Sequence, residues 1–115
     1  MCEAYGSINN RSTLLGTEYD AAISVTFIMK LVRMHREWKI ISLECIYDKD
    51  NLIPVVTPPK KPLKIDFPRE SYKCLGFILE TIGGYRLDEN LPGWDRPEQA
   101  VNILEKARDW VAKHY

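Results

Sequence analysis

The sequence predicts an α+β fold in which an antiparallel sheet comes first and two helices follow. Three observations carry this reading. Apolar and polar residues alternate with a period of two through most of residues 17–56, the rhythm of strands with two unlike faces. The stretch Thr57-Pro58-Pro59-Lys60-Lys61-Pro62 ends that rhythm, because proline has no N–H for a sheet ladder and favours extended backbone. After residue 67 the apolar residues recur at three- and four-residue spacing instead. At 115 residues, without a repeat or a dividing linker, the chain reads as one domain built from segments 1–16, 17–56, 57–66 and 67–115.

The first segment is small and polar. Its turn-like cluster Asn9-Asn10-Arg11-Ser12 predicts an irregular start with no more than a short strand over 12–15. In the second segment Tyr19, Ala21, Ile23, Val25, Phe27, Met29 and Leu31 share one strand face. Asp20, Ser24, Thr26 and Lys30 lie on the other, which becomes apolar at Ile28, Val32 and Met34, as expected where a sheet packs on both sides. A second run, WKIISLECIYDKD, sets Trp38, Ile40, Ser42, Glu44 and Ile46 against Lys39, Ile41, Leu43, Cys45 and Tyr47. The short connection between the runs favours antiparallel pairing. His35-Arg36-Glu37 lacks the Asn-Gly or Asp-Gly of a tight turn, so a longer loop is expected there.

Residues 57–66 read as a stiff proline-rich strap. Pro68 is expected to open a helix with Tyr72, Leu75, Ile78, Leu79 and Ile82 on its apolar stripe and Gly83-Gly84 as its stop. Asp95 reads as the N-cap of a second helix, with Glu98 three residues on as in a capping box. Ala100, Val101, Leu104, Ala107 and Val111 form the stripe of that helix.

Composition narrows the function classes. Apolar residues at 45%, charged residues at 28% and a formal net charge of zero fit an ordinary globular protein and give no electrostatic pull toward nucleic acid or an anionic membrane. The longest apolar stretches fall short of the roughly 20 residues that span a bilayer. Met1-Cys2-Glu3-Ala4-Tyr5 lacks the basic-then-apolar order of a secretory signal, so the expected location is cytoplasmic. Cys2, Cys45 and Cys74 are odd in number and far apart, which argues against a disulfide framework or a zinc site and predicts free thiols.

Two residues are candidates for catalysis. Glu44 alternates with apolar neighbours, and a carboxylate drawn into a pocket has a raised pKa suited to acid/base work. Its plainer role is a solvated or salt-bridged strand carboxylate. Tyr47 could orient a carbonyl or enolate through its hydroxyl, although a strand tyrosine more often serves packing. Asp48 and Asp50 read as a solvated strand end, His35 and His114 as exposed, and Cys45 and Cys74 as small core residues. Trp94 and Trp110 are expected to anchor the helices. No nucleophile elbow, Walker or dinucleotide motif is present.

The run WKIISLECIYDKDNLIPV, after a strand ending KLVRMH, resembles the terminal hairpin of SnoaL-like proteins in the nuclear transport factor 2-like superfamily. The tail SYKCLGFILETIGGYRLDENLPGWDRPEQAVNILEKARDWV is similar to a helical extension that follows this hairpin in one SnoaL-like subgroup. The resemblance runs from about Thr17 to Val111 and implies a curved sheet forming part of a cone around an apolar pocket. The N-terminal helices of that fold have no counterpart here, and His35-Arg36-Glu37 replaces the usual turn glycine, so the expectation is a truncated, C-terminal half with its extension.

For function the resemblance implies a small-molecule-pocket protein, with acid/base chemistry of the polyketide cyclase, dehydratase or isomerase kind and no cofactor. Glu44 and Tyr47 are the residue types that match. The alternative is a non-catalytic module that binds a ligand or self-associates. A small apolar ligand and a homodimer through the sheet are accordingly the expected partners, since large apolar faces are rarely left in water.

Overall fold

The computed structural model describes residues 1–114, in the order β1 (Cys2–Leu14), β2 (Thr17–Met34), β3 (Glu37–Pro54), α1 (Lys73–Ile82) and α2 (Pro97–His114). Tyr115, the last residue of the 67–115 segment, lies outside the described residues. The strands form one antiparallel sheet in the order β1-β2-β3, so the fold is α+β as the alternation predicts. With two strands of 18 residues each, the sheet sets the long axis of a molecule measuring 56 × 30 × 23 Å.

Segment 1–16 corrects the expectation of an irregular start. Cys2 through Leu14 pair residue for residue with β2, from Cys2 opposite Met29 to Leu14 opposite Thr17. The ladder supplies the main-chain partners that these polar side chains do not specify. Strand preference follows such context more than residue type. The Asn9-Asn10-Arg11-Ser12 cluster lies within the strand, and Arg11 forks onto Asp20 of β2 at 2.7 and 3.0 Å.

Both hairpins turn on two residues. Leu15-Gly16 and His35-Arg36 each have positive φ at both positions (47° and 77°, 51° and 67°), the backbone twist that matches a right-twisted strand pair. The longer loop expected at His35-Arg36-Glu37 is therefore a two-residue turn, with Met34 opposite Glu37. His35 and Arg36 accept the left-handed region because strand pairing on both sides holds the chain ends together.

Two register shifts curve the sheet. Between Ser24 and Val25 the partner strand carries the extra residue Asp48, and between Lys30 and Leu31 it carries Ile41. Each shift reverses the facing that plain alternation assigns to one part of β3. Ser42 pairs with Lys30 and Ile40 with the next residue, Leu31, so these two side chains fall on opposite faces. Trp38 and Ile40 thus do not share a face with Glu44 and Ile46, as the sequence pattern had them doing.

The core is divided by the sheet. On one face Leu14, Tyr19, Ala21, Ile23 and Val25 pack with Ile78 of α1, joined by Leu52, Leu63, Leu75 and Phe77. On the other, Ile28 and Ile46 pack with Ala100, Ile103 and Ala107 of α2. This two-sided packing is what the apolar turn of the second face at Ile28 anticipates. Helix α1 starts at Lys73, later than Pro68 suggests, because residues 68–71 are drawn into a polar cluster. The strap is tied down by the Lys60 N–H, which donates to the Thr17 hydroxyl at 2.9 Å, and by Leu63 in the core.

Candidate functional site

The sheet separates the two residues nominated for catalysis. Tyr47 pairs with Val25 and packs on the α1 face, whereas Glu44 pairs with Ile28 on the α2 face. A ligand bound to either face meets one of them and not the other. Glu44 is half-exposed and forms no ion pair among the described residues. Tyr47 is half-buried, its ring centroid 4.9 Å from that of Tyr72, and burial pushes its phenol pKa up. Its backbone does structural work as well. The Tyr47 N–H donates to the Pro92 carbonyl at 2.9 Å and its own carbonyl accepts from the Trp94 N–H at 3.0 Å, which pins the LPGW loop to the outer edge of β3.

Beside that loop lies a polar cluster that sequence patterning did not single out. The Arg69 side chain is 1% exposed and Asp95 only 16%, and the guanidinium forks onto the carboxylate with Nε–Oδ2 at 2.9 Å and Nη2–Oδ1 at 2.6 Å. Arg69 Nη1 also donates to the Glu89 and Leu91 carbonyls, both at 2.8 Å, and to the Tyr72 hydroxyl at 3.0 Å. The Tyr72 hydroxyl donates in turn to the Asp88 carbonyl at 2.8 Å. Asp95 further accepts from the Ser71 hydroxyl at 2.8 Å and the Glu70 N–H at 3.0 Å. With this many donors, Arg69 foremost, the Asp95 carboxyl is held well below the usual carboxylate range.

Asp95 is therefore not the helix cap that its spacing to Glu98 suggests. Its carboxylate turns back to 69–71, and α2 begins two residues later with proline in the first position, where a missing N–H is no loss. Gly93 is buried beside it, and a Cβ there would sit 2.7 Å from an Asp95 oxygen and 2.9 Å from the Ser71 hydroxyl. Only glycine leaves room for the cluster to close. All buried side-chain nitrogens and oxygens among the described residues have partners, so the cluster is a finished brace and offers no free group to a substrate.

The aspartates at the exit of β3 are also partnered and do not form a solvated turn. The Thr26 hydroxyl lies 3.1 and 3.2 Å from the Asp48 carboxylate across the sheet. Asp50 accepts from the Leu75 N–H at 2.9 Å. Leu75 is the third residue of α1, and Tyr72 makes no side-chain cap, so a strand residue caps the helix from outside. Burial raises the Asp50 pKa against these hydrogen bonds, and burial together with Asp50 pushes the Cys74 thiol up to about 12. Cys74 is thus an inert core thiol, and burial likewise raises Cys45.

What is left open is apolar. Met34, Trp38, Ile40, Ile41 and Leu43 gather toward the β2–β3 turn with at least half or nearly half of each exposed, led by Trp38 and Ile40 at 60%. A groove of about 390 Å³ runs between Met1, Leu31, Trp38 and Val111. Of the other tryptophans, Trp94 is 39% exposed and so does not anchor the core as expected. Trp110 lies under the Lys30 ammonium, 5.8 Å from the ring centroid, and stacks on His114. Among the described residues no three metal-ligating side chains converge, and no helix is long and apolar enough to cross a membrane.

Comparison with known proteins finds no family model that matches the chain, and no curated protein matches it either.

Proposed function

We propose that the chain is a SnoaL-like module of the nuclear transport factor 2-like superfamily whose open apolar sheet surface forms one wall of a small-molecule pocket. The observation that carries this reading is continuity. The β2 face packed under α1 at Ile23 and Val25 extends past that helix into Phe27, Met29 and Leu31, flanked by Cys45 and Leu43 of β3, and reaches a groove where Leu31 and Trp38 meet Met1 and Val111 of α2, the helix of the other face. A volume near 390 Å³ lined by apolar side chains suits a small hydrophobic ligand. A binding role has more support than cyclase, dehydratase or isomerase chemistry, because Glu44 lies on the far face from Tyr47 and from this surface. The three-stranded antiparallel meander with its curving register shifts supports the superfamily assignment.

Titration with the apolar fluorophore 1-anilinonaphthalene-8-sulfonate at low protein concentration tests the pocket. Saturable one-to-one binding is expected, weakened about tenfold or more by Trp38→Ala, which removes an aromatic wall worth more than about 1.4 kcal/mol. Non-saturable uptake, or affinity unchanged by that substitution, defeats the reading.

A further inference from the structure

The outer edge of β3 has no strand neighbour among the described residues. The LPGW loop closes it at Tyr47 and the His35-Arg36 turn ends it at Glu37, which leaves residues 37–46 as an open run of main-chain donors and acceptors. We propose that this run pairs antiparallel with the same run of a second copy of this chain, joining two sheets into one across a two-fold axis. The proposal does not depend on the ligand reading, since it rests on the main-chain edge of β3, although Trp38, Leu43 and Cys45 belong to both surfaces.

The occupant follows from the pattern on the edge itself. A two-fold axis pairs the run with its own reverse, and the midpoint of 37–46 falls between Ile41 and Ser42. That register sets Lys39 opposite Glu44 of the second copy, and Glu44 opposite its Lys39, so two complementary charge pairs form by symmetry. It sets Ile40 opposite Leu43, both exposed and apolar, and Trp38 opposite Cys45.

Facing agrees with this register only because of the extra residue at Ile41. In an uninterrupted strand Lys39 and Glu44 would fall on opposite faces. The register shift puts both on the face of their β2 partners Val32 and Ile28, and puts Ile40 and Leu43 together on the face of Leu31 and Met29. Hydrogen-bond direction agrees too. Both main-chain groups of Tyr47 point outward to the LPGW loop, so alternation turns those of Cys45 and Leu43 outward. Past the extra residue the same holds for Ile40 and Trp38, which are the residues this register sets against them. Glu44, without an ion pair among the described residues, gains one, and Lys39, already 2.8 Å from Glu37 of its own strand, gains a second carboxylate.

Charge reversal tests the pairing. In sedimentation equilibrium of the full chain over a range of concentrations, a monomer–dimer equilibrium is expected. Lys39→Glu and Glu44→Lys should each weaken it about tenfold or more by setting like charges opposite twice. The double variant restores opposite charges and should return to within about threefold of the original. Hydrogen exchange should show amides of 38–45 better protected at concentrations that favour the dimer. A chain that stays monomeric overturns the proposal, as does a dimer indifferent to both reversals or one not rescued by the double variant. Both side chains are at least partly in solvent, and Lys39→Gln with Glu44→Gln repeats the test should a reversal lose the sheet's circular dichroism signal.

Discussion

The Arg69 cluster and the β2–β3 tip handle awkward side chains in opposite ways. Around Arg69 a charged group is buried, and six hydrogen bonds to Asp95, Tyr72, Gln99 and two carbonyls compensate for the water it has lost. At the tip, apolar groups from Met34 to Leu43 stay largely in water. The first arrangement spends specificity inward, fixing the 88–96 loop against the start of α1. The second leaves contact surface unspent and available to another molecule. Disturbing the cluster should therefore damage the fold, and disturbing the tip should damage association.

The largest effect is expected at Arg69. Arg69→Ala leaves the Asp95 carboxylate and two loop carbonyls without their donor in a buried site, which should destabilise the fold by about 3–5 kcal/mol. The midpoint of urea unfolding measures it. A loss under about 1 kcal/mol would mean that the cluster is as solvated as a surface ion pair.

A second effect is in pH. The folded pKa of Asp95 is depressed, so its contribution is present above the unfolded carboxyl value of about 3.9 and is lost as pH falls through the folded value. The folded pKa of Asp50 is raised, so its contribution has the opposite sign, present below the unfolded value and lost as pH rises through the folded one. Urea midpoints from about pH 6 down to pH 3 should fall less steeply for Asp95→Asn and more steeply for Asp50→Asn than for the original chain. Equal slopes in all three would erase the contrast between the two carboxylates.

The smallest effect on stability belongs to the tip. Leu43→Thr removes an exposed apolar group from a strand that keeps its ladder and should shift the unfolding midpoint by no more than about 0.5 kcal/mol. A larger loss in dilute, monomeric protein would show that the tip is part of the core after all.

The fold was most legible where burial sorts residues by type. Tyr19, Ala21, Ile23 and Val25 alternate with polar residues because one face is dry, so the long hairpin and its two-sided packing could be read directly. Strand β1 was illegible for the complementary reason: Ser7 through Arg11 are exposed on both faces, and no chemical contrast marks their alternation. The register shifts at Asp48 and Ile41 were hidden because one extra residue leaves composition untouched while reversing which face a side chain takes. Plain alternation groups Glu44 with Trp38 and Ile40, yet only Ser42 and Ile46 of that set share its face. Arg69 was missed because its acceptors lie between 3 and 30 residues away, beyond any local motif. Its one local signal is LPG-x-D followed by a proline-opened helix, a pattern that equally fits a helix cap.

The Asp50 contact ties helix α1 to the sheet. Helix α1 has only 10 residues, too few to persist alone in water, and the carboxylate that satisfies its first turn arrives from a strand 25 residues earlier. No local start signal replaces it. The helix therefore depends on the sheet, since its first turn is satisfied by β3, and Asp50→Ala should fray α1 from its N-terminal end while the strands keep their ladder.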